Sequence, residues 1–345
     1  MEYNIVYGGH STVRIYSDKA TKIIDNTYDG GSIKELAILN YLDHPRINKC
    51  TGWRWKKKRL EIDSPLYAET LDEYKDKFLV VSRVMMLDDL FIPLFDALLY
   101  MKGRKIMHLD IKPDNIFVDK VLYLADFSSA WIEGVPAHGL TSTRAYVPPE
   151  GRHADYSVDI YMFGFTILEF LLGEFELTWN SDGELDIQGF GRVLKKYDSK
   201  VLHLLPGMVH RDPAARPAIE QLCHNLGVAA RPATEIVKPK MSILDQREPL
   251  HFISTIGAVI SIQSSEEELA PIMALFLKDL QHVKSSIRMS VCLFLVQAIV
   301  GYKLCDQWLL CTYLNVQLSD IYQACEFVLK NKQITSRFID HFIGI

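Results

Sequence analysis

The stretch His108-Leu109-Asp110-Ile111-Lys112-Pro113-Asp114-Asn115, followed eleven residues later by Asp126-Phe127-Ser128, constrains this chain more than any other feature. It sets a carboxylate two residues before a lysine and five before an asparagine, with a second carboxylate after a short apolar hairpin. Phosphoryl transfer asks for that set. One Asp accepts the proton of the attacking hydroxyl, a Lys faces the moving phosphate, and Asn with Asp holds Mg²⁺.

The string resembles the catalytic loop and the metal-binding loop of eukaryotic-type protein kinases, H-R-D-x-x-x-x-N and D-F-G. The resemblance makes Asp110 the proton acceptor, Lys112 the phosphate contact, and Asn115 and Asp126 the metal ligands, with ATP and Mg²⁺ as cofactors. Asp-x-Lys-Pro-x-Asn is the serine/threonine form of that loop, so the implied acceptor is a hydroxyl of a protein substrate.

Other segments are similar to the same family, in the family's order. Gly8-Gly9-His10-Ser11-Thr12-Val13 lies between two strand-like runs, and glycines there let backbone amides approach phosphate oxygens. Gly8, Gly9 and Val13 are therefore candidate nucleotide contacts. In Ala20-Thr21-Lys22-Ile23-Ile24, Lys22 takes the place of the phosphate-pairing lysine, with Lys19 as the fallback register. A lysine in an apolar strand needs a carboxylate partner, and Glu35, on a helix predicted over Ile33 to Leu42, is the candidate. Phe78 to Met85 is similar to the strand that runs into the adenine-binding hinge. That reading puts Ser82 at the back of the pocket and Arg83, Val84 and Met85 along the adenine. Further on, Thr143 to Glu150 resembles the end of an activation segment, and Asp159 to Gly164 the start of a long central helix. Arg216, in Arg211 to Pro217, is expected to pair with Glu150. The resemblance covers about residues 3 to 228.

It implies an α+β, two-lobed protein-kinase-like fold: an antiparallel sheet with one helix, then a mainly helical lobe. Residues 1–228 form that domain, divided near residue 85, and 229–242 read as a linker. Residues 243–345 read as an all-α domain. This tail resembles a cyclin box at Arg247, Lys303 and Glu326, although Lys278 stands where a cyclin has Asp; another helical bundle is the alternative. A cyclin-like tail implies an intramolecular contact that presses the Glu35 helix inward.

Two departures from the family stand out. Leu109 replaces the arginine that gathers a phosphorylated loop, and Ser128 replaces the flexible glycine of D-F-G. Neither removes a charge the chemistry needs. The alternative is a pseudokinase, an ATP-binding scaffold without turnover.

Composition narrows the surroundings. The 345 residues are 48% apolar and 23% charged, as in a globular protein with ample core. A net charge of -5 argues against general affinity for nucleic acid or anionic membranes. The basic run Trp53 to Arg59 is read as a twisted hairpin with a solvated turn rather than an RNA site. Six cysteines without a CxxC pair suit reduced thiols, no signal segment opens the chain, and Met289 to Tyr302 is short for a membrane span. The expectation is an intracellular protein, cytoplasmic or nuclear. In its compactness the kinase-like part is similar to kinases of large DNA viruses, which implies a viral protein in a host cell.

Overall fold

The structure, a computed structural model, describes residues 4–7, 11–25, 31–56, 59–78, 80–133, 140–173, 178–183, 185 and 199–229, together with Arg288, Val291, Cys292 and Lys330. Runs of β-branched and aromatic residues near the start form five strands, β1 (Asn4–Tyr7), β2 (Thr12–Ile15), β3 (Lys19–Asp25), β4 (Gly52–Lys56) and β5 (Arg59–Pro65). They pair antiparallel in the order β1-β2-β3-β5-β4. The register lines up Val13, Lys22, Ile62 and Trp53 in one row across four strands. Side chains alternate along a strand, so Ala20 and Ser64 share that face, while Thr21, Glu61 and Asp63 point the other way. On that second face Arg54 pairs with Glu61 and Asp63, and Lys19 reaches Asp63 at 2.8 Å. Lys19 is thus turned away from Lys22, and the fallback register is excluded. The basic run begins the β4–β5 hairpin, with Arg54 engaged in it.

Helix α1 (Gly31–Tyr41) crosses the Lys22 face and buries Leu36, Ala37, Ile38 and Leu39. Thr70 and Glu73 then make a reciprocal capping box that starts α2 (Leu71–Lys75). Between them, β6 (Glu69–Thr70) joins β8 (Ile116–Asp119) and β9 (Val121–Leu124) in a small sheet, and β7 (Ile106–Met107) pairs with β10 (Trp131–Ile132).

The division near residue 85 is corrected here. Val80–Gly103 is one helix, α3, not a strand leading into a hinge. The β-branched pair Val80-Val81 imitates a strand, but Val84, Leu87, Phe91, Leu94, Leu98 and Met101 recur at helical spacing and are all buried. The first sheet ends at Pro65, and Leu66–Ala68 carries the chain into the helical lobe. Tyr67 lies against the rings of Phe117 and Tyr123, its hydroxyl 3.1 Å from Asn48 Oδ1.

In that lobe α3 lies against α4 (Tyr156–Leu172), α5 (Lys200–Met208) and α6 (Ile219–Leu226), around Phe91, Phe95, Phe163 and Phe170. Gly164 permits the contact of α4 with α5: a Cβ there would stand 2.9 Å from Met208 Cβ and Val209 Cγ1. Among the described residues no helix is long and apolar enough to cross a membrane. The cyclin-like reading of 243–345 and the linker reading of 229–242 fall almost wholly outside the described residues.

Candidate active site

Strand β7 delivers the chain into the loop at His108, and the β8–β9 hairpin returns it to Asp126. The loop is braced from below. Asp159, near the start of α4, accepts from the backbone N–H groups of His108 and Leu109, each at 2.7 Å. Leu109 has φ +61°, a left-handed backbone that a branched side chain rarely takes, and is buried. Burial pushes the Asp159 carboxyl up to about 7 against the pull of those two N–H groups. Burial also drives His108 down, so the ring is neutral. Its Nε2–H donates to the Ala125 carbonyl at 2.9 Å and its Nδ1 accepts from Asp110 N at 3.3 Å, which fixes the tautomer.

Above the brace, Asp110 is held at both oxygens. Thr143 N–H donates to Oδ1 at 2.7 Å and Asn115 Nδ2 to Oδ2 at 3.0 Å. Lys112 Nζ stands 3.8 Å from Asp110 Oδ2 and donates to Thr143 Oγ1 at 2.8 Å. A carboxylate, an ammonium and a hydroxyl from the later segment therefore converge at one point.

Lys22 donates to Glu35 Oε1 and Oε2 at 2.8 and 2.9 Å and to Asp126 Oδ1 at 2.8 Å. Burial alone would push the Lys22 ammonium down, but Glu35 and then Asp126 overcome it and hold it well above the usual lysine range. Asp126, favoured by burial to stay protonated, is instead held by Lys22 far below the ordinary carboxylate range. It sits at φ +58° and also accepts from Ser128 N at 3.2 Å.

The later segment is anchored at its end. Arg216 makes two parallel bonds to Glu150 at 2.6 and 2.7 Å and lies over the Tyr161 ring.

Of the sequence-predicted residues, Lys22, Glu35, Asp110, Lys112, Asn115 and Asp126 come together, and Val13 lies opposite Lys22 on the same face. Gly8 and Gly9 lie outside the described residues. Arg83, Val84 and Met85 are misplaced by the sequence reading. They sit in the first turns of α3, so their amide groups serve the helix and offer no edge to an adenine. Arg83 instead donates to the carbonyls of Phe78, Phe170 and Leu171, Val84 is core, and Met85 is exposed. On the Lys22 face Ser64 stands opposite Ala20, and the chain then runs through Pro65 to Ala68 toward α2. The signals for that path were the alternation Leu60, Ile62, Ser64 and the capping pair Thr70 and Glu73, which places a helix start just beyond.

The donor set suits a nucleotide with a hard divalent ion. Asn115 spends its amide N–H groups on Asp110, so its amide oxygen is not used in those bonds, and Asp126 bonds Lys22 and Ser128 N through Oδ1. Among the described residues no cluster of three or more His, Cys, Asp or Glu could hold a metal alone, so an ion here would share its shell with phosphate and water.

Comparison with known proteins agrees with this geometry. A family model described as the protein kinase domain matches residues 7–226. A putative serine/threonine-protein kinase of Acanthamoeba polyphaga mimivirus is 26% identical over 235 residues, 62% of this chain and 83% of the relative. Serine/threonine-protein kinase Aurora-1 of Arabidopsis thaliana is 31% identical over 43% of this chain and 53% of its own length. Aurora kinase A-A of Xenopus laevis is 30% identical over 41% of this chain and 36% of its own. The match thus spans about half or less of these Aurora relatives. With two lobes, a lysine–glutamate pair and a braced aspartate loop in place, the chain belongs to the protein kinase domain family, and the relatives it resembles are serine/threonine-protein kinases.

Proposed function

We propose that this chain is an active serine/threonine protein kinase, transferring the γ-phosphate of ATP to a hydroxyl of a protein substrate. The observation that carries it is the convergence of Asp110, Lys112 and Thr143, with Lys22 already paired to Glu35. Asp110 takes the proton of the incoming hydroxyl, and Lys112 steadies the phosphate as it moves. Lys22 grips the α- and β-phosphates, and Asn115 and Asp126 are the residues that would hold Mg²⁺. Mg²⁺, when bound, neutralises charge building on the β- and γ-phosphates. The adenine would lie between the Val13–Ala20 face and the chain from Ser64 to Ala68. The names of the viral and Aurora relatives support the serine/threonine class.

The test is transfer from radiolabelled ATP to a generic basic protein, run beside Asp110→Asn. Transfer at least a hundredfold above that variant is expected. Equal transfer would leave the chain a nucleotide-binding pseudokinase.

We further propose that the segment after residue 229 acts on the small lobe in cis. What supports this is Lys330 Nζ, 5.8 Å from the centroid of Trp53, whose side chain lies in the row with Lys22 and Ile62. Val291 and Cys292 are also fully buried in the apolar cluster that includes the kinase core. Deleting residues 235–345 should abolish transfer while leaving a folded domain. Full activity in the shortened chain would reject the idea.

A further inference from the structure

Lys34 is a buried lysine that the reaction does not use. It precedes Glu35 on α1, is 5% exposed, and its Nζ lies 4.2 Å from the centroid of the Trp131 ring. Among the described residues it forms no close hydrogen bond or salt bridge, and the Glu35 carboxylate acts on it at longer range. A desolvated ammonium is costly without a partner, and the face of an indole is the strongest aromatic one. Burial draws Lys34 down to about 8, so the cation persists at neutral pH. Trp131 is itself 3% exposed and stands in β10 directly opposite Met107, the residue before His108. Helix α1 also lies against the turn Phe127–Ser129 that follows Asp126.

Consecutive helical residues point about 100° apart, so pinning residue 34 fixes the azimuth of residue 35. We propose that Lys34 and Trp131 form a clamp between α1 and the start of the activation segment, holding α1 in the rotation that presents Glu35 to Lys22. Lys34 is a positioning residue, acting through Glu35. The clamp needs no phosphate, which fits Leu109, an apolar residue where a phosphate-binding loop would require a cation. Its effect on turnover rests on the kinase reading; its effect on α1 does not.

The full-length chain is compared with Lys34→Met, Lys34→Arg, Trp131→Leu and Trp131→Phe by two readouts. These are hydrogen exchange of the α1 amides and kcat for transfer to a basic protein. Lys34→Met and Trp131→Leu should each speed α1 exchange and lower kcat by about tenfold, the scale of one desolvated cation–π contact. Lys34→Arg and Trp131→Phe, which keep a cation over a ring, should restore both to within about threefold. Lys34→Met keeps the length of the side chain and removes a buried charge, so its Tm should not fall. It decides the matter even if Trp131→Leu does not fold. Unchanged α1 exchange in Lys34→Met, or Lys34→Arg behaving as Met does, would overturn the clamp. Faster α1 exchange in Lys34→Met, with wild-type transfer no greater than Asp110→Asn, would uphold the clamp and reject the kinase reading.

Discussion

Thr143 and Asp110 are joined through the Thr143 backbone N–H, which donates to Asp110 Oδ1 at 2.7 Å, while the Thr143 hydroxyl receives Lys112 Nζ at 2.8 Å. One residue of the later segment therefore holds the two groups proposed above to meet the acceptor. Thr143→Val keeps the backbone bond and the shape but frees Lys112. Its kcat should fall about tenfold or more through lost alignment, with the KM for ATP nearly unchanged. Thr143→Ser should retain most of the activity. Steady-state kinetics of the two variants side by side checks this.

Lys22 lies between two carboxylates, so its removal leaves Glu35 and Asp126 without the cation that bonds both. Lys22→Met should reduce transfer by about a hundredfold or more. It should also destabilise the fold by about 3 kcal/mol, the scale for breaking a buried pair from one side. Adding Glu35→Gln should recover part of that stability and none of the transfer. Urea unfolding of the single and double variants separates the two effects.

Arg216 and Glu150 should be more sensitive to shape than to charge. Arg216→Lys keeps the cation but cannot make both parallel bonds, nor lie flat on Tyr161. Thermal unfolding should show Arg216→Lys nearly as destabilised as Arg216→Ala, by about 3 to 5 kcal/mol for the latter.

Asp159 gives the molecule a pH dependence of definite sign. Its folded-state value, about 7, lies above the ordinary 3.8, so between those values the folded chain binds more protons than the unfolded one. Stability should therefore fall as pH rises from about 4 to about 7, by on the order of a few kcal/mol, and level off above. Asp159→Asn cannot titrate. The difference in unfolding free energy between wild type and this variant should shift in favour of the variant across that window. A difference curve flat from pH 4 to pH 8 would contradict the assignment.

The charged groups were legible because their chemistry depends on spacing along the chain: two residues from Asp110 to Lys112, five to Asn115. The Lys22–Glu35 pair was legible because each would be unstable buried alone. The path of the chain between β5 and α3 was not. Val80-Val81 has strand propensity, but propensity yields to the long apolar stripe that α3 buries, and only that stripe read to Met101 reveals the helix. Nor could spacing show Lys34 over Trp131. The contact joins residues far apart in the chain, and a lysine next to a glutamate on a helix ordinarily reads as a solvated pair.

Leu109, left-handed in its backbone and sunk in the core, has a consequence for control. Its side chain belongs to the apolar interior, so a phosphatase acting on the activation segment would find no arginine at this position whose grip it could release.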